Sequence, residues 1–215
     1  NIRKGKGPLY TPVRKSLTDP ALGLVYKETQ QAHLVLGFRG FNFDDKRNTA
    51  AMVLSAILGG GMSSRLFMEV REKRGLAYYV RASSGNYRDC GSFDISAGVQ
   101  VDKAEEAIKV IAQELEKIKT ILVLEKELHK AKEYIKGKTT LGLEDNQARL
   151  DWFLEQAAFC RRIKTPQELF KEIDAITPSQ IISVAKTLFS PLGMSLAIIG
   201  PYRSQKKFAK LLNLF

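Results

Sequence analysis

Apolar residues alternate in short runs through the first half of the chain and fall into wider helical stripes through the second. ALGLVYKE (21–28) and AHLVLGFRG (32–40) read as two strands separated by Thr29, Gln30 and Gln31, the second more apolar and therefore more buried. Asp44 and Asp45 open a helix that places Ala51, Leu54, Ser55 and Leu58 on one face. Gly59, Gly60 and Gly61 end it, because three consecutive glycines carry too much backbone entropy to stay helical. Ser63 and Ser64 cap a second helix over 65–74, which Gly75 stops. LAYYVRASSGNY (76–87) and SFDISAGV (92–99) then flank Arg88, Asp89, Cys90 and Gly91 in a hairpin pattern.

The later pattern is helical. Asp102 and Glu105 open a helix with Ala104, Ile108, Ile111, Leu115 and Ile118 on one stripe. Further helices are expected over about 124–140 and 144–162, the latter with Trp152 and Phe153 as core anchors. Thr165-Pro166-Gln167-Glu168 and Thr177-Pro178-Ser179-Gln180 each combine a cap, a proline at the first helical position and a capping-box partner. GMSLAIIG (193–200) reads as a last, buried strand. Strands that arrive in pairs, with helices segregated from them, predict an α+β fold: an antiparallel sheet with helices packed on one face. Residues 1–20 hold three of the seven prolines and no periodicity, so they read as an extended leader or linker before a single domain over 21–215.

Composition narrows the function classes. With 215 residues and 44% hydrophobic positions the chain can furnish a full core. No apolar run approaches the ~20 residues that a membrane-spanning helix needs. The basic N-terminus has no apolar stretch with a cleavage site behind it, so it does not read as a signal peptide. The first residue is Asn1 rather than Met, as expected of a chain that begins partway through a longer precursor. Cys90 and Cys160 make no disulfide framework, and a reducing, cytoplasmic setting is expected. The net charge of +11 invites a nucleic-acid reading, but Lys and Arg alternate with Glu as on solvated helix faces. Neither nucleic acid nor membrane is therefore expected as a partner.

Only two histidines exist, His33 and His129, and no pair of them has zinc-motif spacing. His129 and Glu133 stand one helical turn apart, but no further ligand is expected near them, so no metal site is assigned. Cys90 has no base beside it, and no Gly-x-Ser-x-Gly elbow is present. Gly59–Gly61 lack the Gly-Lys-Ser/Thr ending of a phosphate loop and follow a helix rather than a strand. Two readings stay open for them: a bare elbow between helices, or a loop over which an extended peptide passes unobstructed.

LGGGMSSRLFMEVREKRGLAYYV, spanning Leu58 to Val80, resembles the signature of the second half of M16 (pitrilysin- and insulinase-type) zinc metallopeptidases. The flanking QQAHLVLGFRGF and LGLEDNQARLDWF are similar to that family's strand and helix start, so the resemblance runs over about 20–200. It implies a metal-free, peptide-holding half, inactive alone, that completes the active site of a zinc-bearing H-x-x-E-H half in the same polypeptide or a separate subunit. It implies Arg71 and Tyr78, seven positions apart, as the catalytic pair, and Gly59, Gly60, Gly61 and Ser63 beside the peptide. A guanidinium and a phenol can hydrogen-bond a scissile carbonyl as its oxygen becomes anionic. No cofactor is expected in this chain; zinc is expected in the partner half. A peptide substrate is expected, and a homo-oligomer fits this reading. The other readings are a non-catalytic scaffold subunit of a larger complex and, behind it, a basic nucleic-acid-binding domain.

Overall fold

Two strands open the domain, β1 (Ala21–Tyr26) and β2 (Gln31–Gly40), and burial alternates clearly along the second. In β2, Ala32, Leu34, Leu36 and Phe38 are buried while His33, Val35 and Arg39 are exposed, so one face of the strand meets a core and the other does not. The computed structural model of the chain describes residues 11–13 and 19–215; of the leader expected over 1–20, most therefore lies outside the described residues. Next come helix α1 (Asn48–Gly59), the π-helical turn Phe67–Glu72, and the hairpin strands β3 (Ala77–Asn86) and β4 (Gly91–Gln100). Helices α2 (Ala104–Thr120), α3 (Glu125–Gly142), α4 (Asn146–Phe159), α5 (Pro166–Asp174) and α6 (Pro178–Leu188) follow, then strand β5 (Ser195–Gly200) and the short α7 (Lys206–Leu211).

The strands make one sheet in the order β1-β5-β2-β4-β3. β1 and β2 are not partners, although they are consecutive. β5 inserts between them, parallel to β1 and antiparallel to β2. The β2–β4 and β4–β3 pairings are antiparallel. β5 is not buried on both sides as its apolar run suggests: Leu196 and Ile198 face the core while Ala197 and Ile199 are exposed. The helices cover the other face. Leu54, Ile57 and Leu58 of α1, Ile108 and Ile111 of α2, and Ile181 and Leu188 of α6 are sealed against the buried sheet residues, each side chain worth roughly 1.5–3 kcal/mol. Phe189 joins the layers, with ring centroids 5.1 Å from Phe38 and 5.3 Å from Phe93, both edge-on.

Several boundaries differ from the sequence pattern for local reasons. Asp45 does not open α1; it takes the Arg47 guanidinium at 2.7 Å, and the helix starts at Asn48. The Asn48 side-chain amide donates to the carbonyls of Asn42 and Phe43 at 2.6 and 3.1 Å, fixing the entry loop. α4 buries none of its residues, so Trp152 and Phe153 are not core anchors. Its apolar residues do not form a stripe toward the core, with Leu150 and Leu154 both more than half exposed, and Trp152 only edges in, donating from its indole to the Lys164 carbonyl at 3.2 Å. Both threonine-proline helix starts form complete capping boxes.

Candidate functional site

The glycine triplet does its work by vacancy of space, not by unusual backbone angles, since none of its members has positive φ. A Cβ on Gly59 would lie 2.1 Å from the backbone nitrogen of Ala82, so α1 ends pressed directly onto β3. A Cβ on Gly60 would lie 2.7 Å from Ala56 Cα and 3.0 Å from the Tyr134 ring. Gly61 has slightly more room, with the same ring at 3.3 Å. The triplet is thus a close-packed junction of α1, β3 and α3. Immediately after it, the buried Ser64 donates its hydroxyl to the Gly61 carbonyl at 2.6 Å, closing the turn instead of capping the following helix. Arg65 makes a two-pronged pair with Glu127 of α3 at 2.7 and 2.8 Å, which anchors the segment that follows.

That segment is π-helical. Lys73 donates its N–H five residues back to Met68 at 2.9 Å, a widening common at functional positions. Gly75, at φ 60°, ends the turn, donating to the Arg71 carbonyl at 2.9 Å in the left-handed cap that suits glycine. Arg71 is exposed, with its guanidinium carbon 4.8 Å from the centre of the Phe67 ring. Below, Glu69 is clamped by Lys73 and Arg74, each at 2.5 Å; these hydrogen bonds hold its carboxyl at about 2, below the usual carboxylate range, with burial opposing.

Where β3 begins, the register slips: Ala77 pairs with Val99 but Tyr79 pairs with Gly98, leaving Tyr78 in a bulge. Two tyrosines therefore stand against one glycine, and Tyr79 does not turn to the opposite face as simple alternation predicts. The Tyr79 ring lies across Gly98, where a Cβ would come within 2.5 Å, and its hydroxyl is 3.2 Å from His33 Nδ1. Tyr78 is 52% exposed.

These pieces border a cleft of about 940 Å³. One wall is the glycine turn with Phe67 and Arg71; another is Tyr134, Ile135, Lys138 and Thr139 of α3. The third is β3 from Tyr79 through Ser84. Successive strand side chains point to opposite faces, so an unbroken run of lining residues means that the strand presents its edge. β3 is the last strand of the sheet, and that edge is its outer one. Of the residues expected at the site, Arg71 and Gly59–Gly61 share this cleft. Ser63 is exposed and lines a smaller adjoining hollow, and Tyr78 is outside the cleft lining. Tyr79, expected from alternation on the face opposite Tyr78, also lines the cleft; Arg81, Tyr134 and Lys138 were not singled out by sequence, and Tyr134 and Lys138, one helical turn apart on α3, carried the only signal.

No zinc site is formed by the described residues. His33 is on β2 and His129 on α3, and among the described residues no three His, Cys, Asp or Glu side chains converge. The Cys160 thiol is pushed up, chiefly by burial, and so is no reactive thiolate. No helix of the described residues is long and apolar enough to cross a membrane.

Residues 2–135 match the family model described as the peptidase M16 inactive domain. An uncharacterized zinc protease of Streptomyces coelicolor is 34% identical over 183 residues, which are 85% of this chain and 40% of that protein. An uncharacterized zinc protease of Bacillus subtilis is 35% identical over 175 residues, 81% of this chain and 42% of that protein. The chain spans less than half the length of these relatives. Among solved structures, a peptidase M16 inactive domain from Pseudomonas fluorescens superposes with a TM-score of 0.79 at 24% identity, covering 93% of this chain and 48% of that one. A protease from Helicobacter pylori gives 0.83 at 24% identity, covering 94% of this chain and 49% of that one. These two likenesses bear on the fold.

Proposed function

From the premise that this chain belongs to the peptidase M16 family, as its inactive second half, we propose that it is the peptide-holding part of a zinc endopeptidase and does no chemistry alone. The observation that carries the reading is the meeting of Arg71, the glycine turn and the outer edge of β3 around one cleft. A free strand edge offers N–H and C=O groups to an extended peptide, and Arg71 offers a fork of donors beside it. Tyr78, in the bulge at the head of the same strand, adds a phenol O–H. Together they would hold the scissile carbonyl and favour the negative charge that grows on its oxygen. The metal and the attacking water belong to the zinc-bearing half, which the relatives' greater length leaves room for.

Complementation tests this. Purified alone, the chain is expected to retain no stoichiometric zinc by metal analysis and to cleave no peptide. Mixed with, or fused to, a zinc-bearing M16 half, it is expected to restore hydrolysis that neither part shows separately. One tightly held zinc per chain, lost on changing His129 or Glu133, would overturn the assignment. Assembly without any gain in hydrolysis would make this half a scaffold.

A further inference from the structure

The cleft carries an unbalanced charge. Arg71, Arg81 and Lys138 line it, and no Asp or Glu does. Neither Arg81 nor Lys138 is within ion-pair distance of a carboxylate among the described residues. Residues 1–10 and 14–18 contain no Asp or Glu that could supply one. The carboxylates nearby in sequence or across the sheet have other partners. Glu69 holds Lys73 and Arg74, Glu127 holds Arg65, and Glu133 holds Lys136 at 2.6 Å. Asp94 accepts from the Ser92 hydroxyl at 2.7 Å, while the cross-strand neighbour of Arg81 is Ser96.

The cations of the cleft flank an open strand edge with no carboxylate among its lining residues. We propose that the cleft selects an extended peptide segment bearing Asp or Glu side chains, laid along the outer edge of β3 with its carboxylates at Arg81 and Lys138. The proposal rests on the peptide-holding reading above and adds the class of peptide. The edge favours peptide over nucleic acid as the anion. A peptide backbone answers both the N–H and the C=O groups of a strand, whereas a phosphodiester backbone brings acceptors only and leaves the carbonyls unmet.

Fluorescence anisotropy on the 215-residue chain tests the proposal with labelled ten-residue extended peptides that alternate Thr with Glu, Gln or Lys. The Glu peptide is expected to bind about tenfold more tightly than the Gln peptide, since each exposed ion pair gives at most about fivefold. The Lys peptide should be weakest, and the Glu advantage should shrink as salt is raised. In the Arg81→Gln/Lys138→Gln double variant the Glu peptide should bind no more tightly than the Gln peptide binds to that same variant. Equal binding of Glu and Gln peptides would overturn the acidic preference and leave peptide holding intact. No binding of any peptide would overturn both. A single-stranded DNA oligomer that displaces the Glu peptide, and itself loses affinity in the double variant, would make this a nucleic-acid site and overturn the proposal.

Discussion

Gly59 shows how one residue can hold an element junction in place. Its missing side chain lets α1 touch the backbone of β3, at a distance no Cβ could occupy. Gly59→Ala should therefore cost about 2–3 kcal/mol, since backbone rather than a movable side chain must give way. Gly137 is the contrasting case. It lies inside α3 with open space around its Cα, so Gly137→Ala should stabilise by about 0.5–1 kcal/mol through helix propensity. Urea unfolding of both variants checks the pair; a neutral Gly59→Ala would mean that α1 does not seat on β3 as described. The same reasoning makes Gly60 unsuitable for probing a channel, because a larger side chain there strikes the α1 backbone before it reaches any peptide. Chain pattern marked this triplet as a helix end but was silent on what it touches. Contact across 23 residues of sequence, from Gly59 to Ala82, leaves no trace in local periodicity.

At the level of elements, what was legible in the sequence was what local chemistry decides. The two threonine-proline starts are the best instance: Thr165 accepts from the Glu168 N–H at 3.2 Å and Thr177 from the Gln180 N–H at 3.3 Å. Thr165→Ala and Thr177→Ala should each lower stability by about 1 kcal/mol, read as a shift in the thermal midpoint with unchanged helix content. The insertion of β5 between β1 and β2, the π-helical widening and the bulge at Tyr78 were not legible. Each depends on partners distant in the chain, and a one-residue slip in β3 re-aims every side chain before it. The π-helical turn brings its own pH dependence. Glu69 has a folded-state value of about 2 against an ordinary 4.5, so its contribution is full above pH 4.5 and is lost as pH falls through 2. With Lys73 largely in water, the effect should be about 1–2 kcal/mol, and Glu69→Gln should remove that part of the acid sensitivity between pH 5 and 3. An identical acid profile in the variant would show the clamp to be energetically idle.

For the molecule as a whole, the sheet divides the labour. Its helix-covered face carries the core, while its outer edge, beside the glycine turn and Arg71, carries the cleft. The chain belongs to the peptidase M16 family as its inactive domain, and among the described residues no metal-ligand cluster accompanies the cleft. The account stands or falls on whether Arg71 and Tyr78 act in the transition state. The most direct measurement is steady-state hydrolysis by the chain combined with a zinc-bearing half, comparing Tyr78→Phe with Tyr87→Phe, an exposed tyrosine at the far end of β3. Tyr78→Phe is expected to lower kcat by on the order of 10²-fold with KM, zinc content and assembly unchanged, because a donor aimed at a forming oxyanion acts after binding. Arg71→Lys should also be damaging, since an ammonium cannot reproduce the guanidinium fork, and Tyr87→Phe should be silent. Full kcat in both Tyr78→Phe and Arg71→Lys, in an assembly that still hydrolyses peptide, would contradict the account.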